Sequence, residues 1–166
     1  KNTSGMKPVR LPVPAEVYLP MSMHIGVPAK PLVKVGDQVK VGQVIAESGG
    51  FVSSPVHASV SGKVKKIDQM LVANGRFVDT IVIAADGAQE LCPDIEPPAL
   101  SDHKDFVQAV KDSGVVGLGG AGFPTAVKFN VDSISKVEMV IVNGAECEPY
   151  ITSDTRTMLD DTDLVW

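Results

Sequence analysis

Short apolar runs separated by glycines dominate the chain between Ala29 and Ala85. Many of these runs are β-branched and most are bounded by a glycine or an Asn-Gly pair, a pattern that predicts short strands joined by tight turns. The runs are Leu32-Val33, Val39, Val44-Ile45, Val60, Val64, Leu71-Val72 and Phe77–Ile83, and the turn glycines are Gly36, Gly42, Gly49, Gly50, Gly62 and Gly75. We therefore predict a compact all-β unit in this part of the chain.

Two proline-rich passages flank this unit. The first holds Pro8, Pro12, Pro14 and Pro20, which no helix interior tolerates, so residues 1–20 are predicted to be an extended leading segment. The second passage, around Pro93 and Pro98, has the composition of a linker. We therefore place the domain limits at residues 1–20, 21–92, 93–100 and 101–166.

Helical periodicity appears only after the second passage. Ser101 is the predicted N-cap of a helix whose apolar stripe holds Phe106, Val107 and Val110 and which stops at Gly114. A short helix is predicted from Pro124 through Phe129. The apolar, β-branched run Val137–Val142 then predicts a strand buried on both faces, with Asn143–Pro149 at its carboxyl end, where open α/β sheets bind ligands. Residues 101–166 therefore have the pattern of the start of an α/β domain.

Between the two predicted helices lies a glycine-rich loop, residues 117–123. Its four glycines leave no Cβ atoms to keep a ligand from the backbone N–H groups, and Pro124 favours a helix N-terminus there, which would attract an anion such as a phosphate. The glycines are Gly117, Gly119, Gly120 and Gly122. On spacing alone the loop is only moderately specific, so a plain tight turn is an alternative.

Charge separates the two parts of the chain. The 166 residues carry a formal net charge of −5, and residues 1–100 hold 10 basic and 9 acidic side chains, whereas residues 101–166 hold 5 and 11. The absence of a basic stripe with interleaved aromatic residues argues against nucleic-acid binding. No apolar run approaches the roughly eighteen residues of a membrane span, and no segment has the pattern of a signal peptide. We therefore expect a globular chain without a membrane span of its own.

Neither the cysteines nor the histidines form a chemical motif. Cys92 and Cys147 lie far apart, which predicts neither a disulfide framework nor a metal site and favours a reducing compartment. His24 and His57 lack a third ligand at metal-binding spacing, so structural hydrogen bonding is the simpler interpretation. We assign no metal ligand and no catalytic side chain.

The all-β unit contains two segments of a known pattern. Lys34–Ala46 contains V-G-D-Q-V-K-V-G-Q, and Ser54–Val64 contains A-S-V-S-G-K-V. Together they resemble the lipoyl/biotinyl-carrier hammerhead, or barrel-sandwich hybrid, in which the two segments are pseudo-repeats. Carriers place an acceptor lysine on the hairpin between them, but no lysine lies between Lys40 and Lys63 here. The resemblance thus implies a scaffold or docking module rather than a lipoate or biotin carrier.

The second part carries two further motifs. G-L-G-G-A-G-F-P-T at Gly117–Thr125, followed by Lys128, and N-G-A-E-C-E-P at Asn143–Pro149 resemble the flavin- and NADH-binding subunit of respiratory complex I, where they read G-R-G-G-A-G-F-P-T and N-A-D-E-S-E-P. With a hammerhead in front, and with H-I-G-V-P-A at His24–Ala29, nearly the whole chain resembles the RnfC family of the Rnf complex. The expected fold is thus mainly β, a barrel-sandwich hybrid followed by the truncated start of a flavin/NADH-binding α/β domain.

The resemblance implies function, cofactors and partners. It implies a peripheral subunit, on the cytoplasmic side of a bacterial or archaeal membrane, of a complex that couples reduced ferredoxin and NAD⁺ to ion movement. FMN and NAD(H) are the implied cofactors, and other subunits of the complex are the implied partners. The implied cofactor-binding residues are Gly117, Gly119, Gly120, Gly122, Lys128, Asn143, Glu146 and Glu148.

Each of these side chains also has a simpler interpretation. Lys128 is alternatively a solvated helix residue, and Asn143 alternatively caps its own turn. Glu146 and Glu148 are placed to accept hydrogen bonds from ribose hydroxyls or the nicotinamide amide, or else belong to a solvated loop. Cys147 between them is interpreted as a small filler residue.

Two departures from the family pattern change what we expect. Ala145 stands where the complex I pattern has an acidic residue, so one flavin contact is missing. The family's domain also continues well beyond Trp166, toward the rest of the pocket and a region with cysteines for two iron–sulfur clusters. We interpret the chain as an N-terminal fragment, expected to be inactive and without FMN affinity by itself.

Three other functions fit part of the sequence. The quinone-site subunit of the Na⁺-translocating NADH:quinone reductase also begins with a hammerhead but is not expected to keep G-G-A-G-F-P-T with E-C-E-P. A cobalamin reductase of bacterial microcompartments shares the flavin motifs in a different domain order. A non-catalytic interaction module would need only the hammerhead surface.

Overall fold

The computed structural model describes residues 5–118 and 120–165. These residues divide into two compact units, one from Leu11 to Val131, the other formed by the described residues through Arg10 and from Asp132 onward. The strands are β1 (Glu16–Pro20), β2 (Lys30–Pro31), β3 (Gln38–Val39), β4 (Val44–Glu47), β5 (Val56–His57), β6 (Gly62–Leu71) and β7 (Phe77–Ala85). The α-helices are α1 (His103–Asp112), α2 (Thr125–Phe129), α3 (Ser153–Asp160) and α4 (Thr162–Val165), with a 3₁₀ helix at Ile134–Lys136.

Two antiparallel sheets form the barrel of the first unit. The larger has the strand order β1-β7-β6-β3, and the smaller has the order β2-β4-β5. Each sheet turns apolar side chains toward a shared core, as expected of a sandwich. The core residues are Leu19, Met21, Ala29, Val39, Ile45, Ala46, Val56, Ala58, Val60, Val64, Ile81 and Ile83. The mainly β barrel expected from the sequence is confirmed.

Details of the predicted strands differ from the structure. Regular structure begins at Glu16 rather than after Pro20, because β1 completes the larger sheet by pairing with β7. The strand expected at Leu32-Val33 lies instead at Lys30–Pro31, and Val60 is buried in the core without belonging to a strand. The limits of the four predicted domains stay a prediction.

The hairpin that would bear the lysine of a carrier is held down in this barrel. A Cβ on Gly49 would stand 2.1 Å from the carbonyl oxygen of Pro28, so only glycine allows this approach of the two chain segments. The N–H of Val27 donates to the Val52 carbonyl over 2.9 Å, and the Gly49 N–H donates to Ser53 Oγ over 2.8 Å. A hairpin tied to its own barrel is poorly suited to carry a group between distant sites.

We predict that the barrel carries no prosthetic group when the protein is purified from its host. The hairpin offers no amine, and Lys40 pairs with Glu90 over 2.6 Å. Intact-mass measurement should return the mass of the unmodified sequence. A lipoyl or biotinyl mass on Lys34, Lys40 or Lys63 would contradict this prediction.

Helix α1 begins one residue later than the sequence predicts. Its N-cap is Asp102, not Ser101, because the Asp102 carboxylate accepts the N–H of Asp105 over 2.9 Å. The stop at Gly114 is confirmed, since Gly114 follows the C-cap residue with φ of +73°. Phe106 of α1 meets Phe129 of α2 edge to face, with ring centroids 5.2 Å apart, and this contact pairs the two helices.

The end of α1 packs against His57 of strand β5. A Cβ on Gly114 would lie 2.9 Å from His57 Nδ1, so the ring covers the chain just after the helix. Burial there lowers the pKa of His57 below its ordinary value of 6.5, although a hydrogen bond to the backbone of Asp112 and the Asp112 charge oppose the shift.

We therefore predict that the first unit loses stability as the pH falls below about 6.5. Because the folded-state pKa of His57 is depressed, the unfolded chain takes up the proton first, so this stability is present above 6.5 and lost toward the lower folded pKa. Thermal unfolding between pH 5 and 8 should show a weaker pH dependence for His57→Gln than for the wild type. His103→Gln is the matched control for removing a histidine, and equal slopes for wild type and His57→Gln would refute the assignment.

The second unit has no core of its own among the residues described. None of residues 132–165 is buried, and the segment Val137–Val142, predicted to be a buried strand, is irregular and exposed. That prediction is wrong for this structure because no neighbouring strand within residues 5–118 and 120–165 pairs with the segment, and a strand buried on both faces needs partners and covering layers.

The described helices are short. The longest, α1, has ten residues, and none found in residues 5–118 or 120–165 is long and apolar enough to cross a bilayer.

Candidate functional site

The two ends of the glycine-rich loop pair with each other. Val116 and Pro124 form an isolated antiparallel bridge, and the N–H of Gly117 donates to the Phe123 carbonyl over 3.0 Å. The N–H of Thr125 donates to the Val115 carbonyl, also over 3.0 Å. These bonds fix the base of the loop.

The glycines of the loop differ in what surrounds them. A Cβ on Gly122 would meet the Met23 carbonyl oxygen at 2.7 Å, and its φ of +66° also favours glycine, so this residue serves the packing of the loop on the barrel. By contrast, nothing lies within 4 Å of a Cβ placed on Gly120. Gly119 lies outside the described residues. Of the predicted glycines that the structure describes, Gly120 therefore leaves its backbone open to a ligand, whereas the Gly117 N–H already donates to Phe123.

Lys128 of α2 stands beside the loop. Its Nζ would lie 3.5 Å from a Cβ on Gly117 and lies 5.9 Å from the centre of the Phe123 ring. The ammonium group thus lies in van der Waals range of the position that a Gly117 side chain would take, next to the backbone of the loop. A cation beside this loop suits an anionic ligand.

Helix α2 does not add the expected helix-terminal charge. It has only five residues and begins at Thr125, after Pro124, so few aligned peptide groups contribute to its dipole. The prediction that an anion is attracted by this helix N-terminus is therefore not supported. The positive charge at this end of the loop is that of Lys128.

A cleft of about 720 Å³ lies between the loop and the barrel. Its barrel side includes Ser22, His24 and Arg76, and its loop side includes Gly117 and Gly120. None of the described residues that line it has a carboxylate, although the chain has 20 acidic and 15 basic side chains. The cleft therefore favours negative charge in a protein that is negative overall.

His24 holds the barrel side of the cleft in place. The ring is buried, its Nδ1 lies 2.9 Å from the Ile25 carbonyl, and the Ser54 N–H donates to Nε2 over 3.2 Å. Both ring nitrogens are satisfied in the tautomer with the proton on Nδ1. The interpretation of His24 as a structural residue agrees with this geometry. The Ile25 N–H also donates to the Gly122 carbonyl over 3.3 Å, which ties this segment to the loop.

The second motif lies in the other compact unit, and two of its predicted ligands are engaged locally. Asn143 Oδ1 accepts the N–H of Ala145 over 3.0 Å, which is the turn-capping alternative. Glu146 Oε1 accepts the N–H of Thr155 over 2.8 Å in the first turn of α3. The side chain of Glu148 is exposed. Cys147, also exposed, is not the buried filler expected.

The structure thus groups the predicted residues in two sets. Gly117, Gly120, Gly122 and Lys128 belong to the first unit, whereas Asn143, Glu146 and Glu148 belong to the second. Within residues 5–118 and 120–165, no three histidine, cysteine, aspartate or glutamate side chains are arranged to hold a metal ion.

Sequence reasoning missed the contribution of the barrel. Ser22 and Arg76 line the cleft, but each is far from the loop along the chain. The only local signal was the Asn74-Gly75 pair, which predicts a hairpin turn and says nothing about what the next side chain faces.

Comparison with known families assigns both parts of the chain. Residues 1–88 match the RnfC barrel sandwich hybrid domain, and residues 110–165 match the Nuo51 FMN-binding domain. The second match supports the expected start of an α/β flavin-binding domain, even though the segment Val137–Val142 forms no strand.

The similar proteins align with most of the length of this chain. The C subunit of the Na⁺-translocating ferredoxin:NAD⁺ oxidoreductase complex of Acetobacterium woodii is 46% identical over 92% of this chain and 35% of its own length. Its counterpart in the proton-translocating ferredoxin:NAD⁺ oxidoreductase complex of Clostridium ljungdahlii is 41% identical over 99% of this chain and 37% of its own length. The C subunit of the ion-translocating oxidoreductase complex of Rhodobacter capsulatus is 39% identical over 94% of this chain and 31% of its own length.

The chain therefore spans about a third of the length of these curated relatives. The family model for the barrel covers more than half of the chain, and the order of the two matched domains is the order expected from the sequence. The chain belongs to the RnfC family.

Proposed function

We propose that the chain is the N-terminal part of a peripheral electron-transfer subunit of an ion-translocating ferredoxin:NAD⁺ oxidoreductase. The observation that carries this proposal is the succession of a barrel matching the RnfC model and a segment matching an FMN-binding domain, in a chain 46% identical to its relative from Acetobacterium woodii. In the complex, this protein passes electrons between NAD(H), flavin and iron–sulfur clusters, the clusters being held by chain beyond the present sequence.

The geometry of the loop fits a phosphate-bearing cofactor such as FMN. The open backbone at Gly120 and the Lys128 ammonium group beside Gly117 form a cradle for an anion, and we assign Gly119 to the same cradle from its place in the motif. Gly122 contributes by fixing the loop to the barrel. Bound flavin supplies the chemistry of taking two electrons from a nicotinamide and releasing them singly.

The second motif is assigned to the nicotinamide nucleotide. Glu148 is the side chain that we expect to accept hydrogen bonds from ribose hydroxyls or the nicotinamide amide, since it is exposed at a turn. Asn143 and Glu146 are proposed to act by shaping the segment, because their side-chain oxygens accept backbone N–H groups at Ala145 and Thr155. Ala145 supplies no carboxylate to the flavin.

The location and partners follow from the same family. We place the protein on the cytoplasmic side of a bacterial or archaeal cell membrane, bound to other subunits of the complex. The barrel is the part of this chain proposed to act as scaffold, since its carrier hairpin is folded against residues 27 and 28.

The test is made on the full-length protein, purified and analysed for FMN content and for NADH oxidation with an artificial electron acceptor. We expect bound FMN and NADH-dependent reduction of the acceptor. The 166-residue chain alone should show no heat of FMN binding in a calorimetric titration, because the remaining walls of the pocket are missing. A full-length protein without FMN or NADH oxidation would overturn the proposal, whereas micromolar FMN binding by the short chain would place more of the site within it.

A further inference from the structure

We propose that the barrel supplies a binding residue to the nucleotide site of the glycine-rich loop: Arg76, whose guanidinium group would bind a phosphate of the ligand. The inference rests on the proposed function and extends it, because both domain matches place the flavin motifs outside the barrel. The cleft between the loop and the barrel brings Arg76 and the loop together.

The cleft has the size and charge for a nucleotide. Its volume of about 720 Å³ falls within the range of roughly 300–1,000 Å³ typical of small-molecule sites. Arg76 is its one arginine or lysine lining residue among those described, and Lys128 stands by the Gly117 side of the loop. With no carboxylate in the described lining, a phosphate entering the cleft meets the positive charge of Arg76 on the barrel side.

The backbone at Arg76 is fixed by a tight turn. The Arg76 N–H donates to Asn74 Oδ1 over 3.1 Å, and the Val72 N–H donates to the Arg76 carbonyl over 2.9 Å. The turn therefore fixes the backbone from which the Arg76 side chain extends, so less backbone freedom is lost when the guanidinium group binds a ligand. Arginine suits the task because its planar group can donate two hydrogen bonds to one phosphate.

Within the described part of the chain, no ion pair accounts for the charge of Arg76. The ion pairs found in residues 5–118 and 120–165 involve Lys40, Lys65, Lys66 and Arg156, but not Arg76. The exposed side chain is not needed for the barrel core.

A hydroxyl group on the same wall also points to a ligand. Ser22 Oγ is buried and has no hydrogen-bond partner among the described residues, and Ser22 lines the cleft. Buried hydroxyl groups are rarely left unpaired, and an oxygen of a ligand in the cleft would provide the partner.

The phosphate belongs either to FMN or to NADH, and the experiment separates the two. Arg76→Gln and Arg76→Lys are made in the full-length protein, with Lys63→Gln as the matched control, because Lys63 is an exposed cation on β6 that does not line the cleft. Fluorescence titration of the apoprotein gives the Kd for FMN and for riboflavin, which lacks the phosphate. Steady-state kinetics gives the KM for NADH.

If Arg76 binds the FMN phosphate, Arg76→Gln should raise the Kd for FMN about tenfold or more and leave riboflavin binding unchanged. If it binds the diphosphate of NADH, the KM for NADH should rise by a similar factor while FMN binding is retained. Arg76→Lys should recover part of either loss, and Lys63→Gln should resemble the wild type.

The inference is overturned if Arg76→Gln changes both the Kd for FMN and the KM for NADH by less than twofold. The same result is expected if a later part of the full-length protein fills the cleft, and it would overturn the inference as well. It is also overturned if riboflavin and FMN binding weaken equally with no change in the KM for NADH. A wild-type protein that binds neither FMN nor NADH would instead refute the proposed function, so the two failures are distinguishable.

Discussion

Replacing Gly122 by alanine is expected to destabilise the docking of the glycine-rich loop by about 2–4 kcal/mol. Roughly 1–2 kcal/mol comes from placing a Cβ at φ of +66°. The rest comes from overlap, since that Cβ would stand 2.7 Å from the Met23 carbonyl oxygen and 2.9 Å from His24 Cα, both of them backbone atoms that cannot rotate away. Amide exchange in residues 115–125 and thermal unfolding of the full-length protein would measure the loss.

Two other glycines provide matched controls. Gly87 has a similar φ of +77° with nothing near its Cβ position, so Gly87→Ala isolates the backbone contribution. Gly120 has open space around it, so Gly120→Ala should stay within about 0.5 kcal/mol of the wild type and weaken only ligand binding. Loop exchange in Gly122→Ala no faster than in Gly87→Ala would show that the loop is not docked on the barrel through Gly122.

The barrel could be predicted because its signals are local. Short β-branched runs and the glycines between them specify strands and turns residue by residue, and the pseudo-repeat segments at Lys34–Ala46 and Ser54–Val64 point to one fold. What local signals did not give was the exact edge of each element. Either Ser101 or Asp102 could accept a backbone N–H at the start of α1. Asp102 is the residue that does so, and this choice depends on the geometry of the turn.

The strand expected at Val137–Val142 shows the opposite case. Apolar, β-branched residues favour a sheet, but a strand forms only where neighbouring strands supply hydrogen bonds. No neighbouring strand pairs with this segment in residues 5–118 and 120–165, and the Ile141 side chain is 81% exposed. The same dependence on neighbours explains why Arg76 was missed, since its contribution to the cleft arises only from folding.

The candidate site was predicted as a set of residue types, and the structure distinguishes roles within the set. Among the glycines, Gly122 is required for packing, whereas Gly120 leaves space for a ligand. Among the polar residues, Asn143 caps its own turn and Glu146 receives a backbone N–H of α3. Sequence spacing cannot separate these roles, because each depends on what lies a few ångströms away in space.

Replacing Glu148 by glutamine is expected to raise the KM for NADH about 10–100-fold in the full-length protein and to leave its FMN content unchanged. A hydrogen bond to a charged acceptor contributes roughly 1.5–3 kcal/mol, and glutamine keeps the size of the side chain while removing its charge. The exposed position of Glu148 means that folding does not depend on it, so the effect should appear in catalysis and not in thermal stability.

Glu146→Gln is the matched control because the two carboxylates are two residues apart but differ in their surroundings. Glu146 accepts the N–H of Thr155 in the first turn of α3, where a negative charge is favoured, so its neutralisation should weaken that helix by about 0.3–1 kcal/mol. The expected pattern is therefore a split, with NADH affinity changed at Glu148 and helix stability changed at Glu146. An unchanged KM for NADH in Glu148→Gln, in a protein that retains FMN and its unfolding temperature, would remove Glu148 from the nicotinamide site and leave the loop and Lys128 to hold the nucleotide without it.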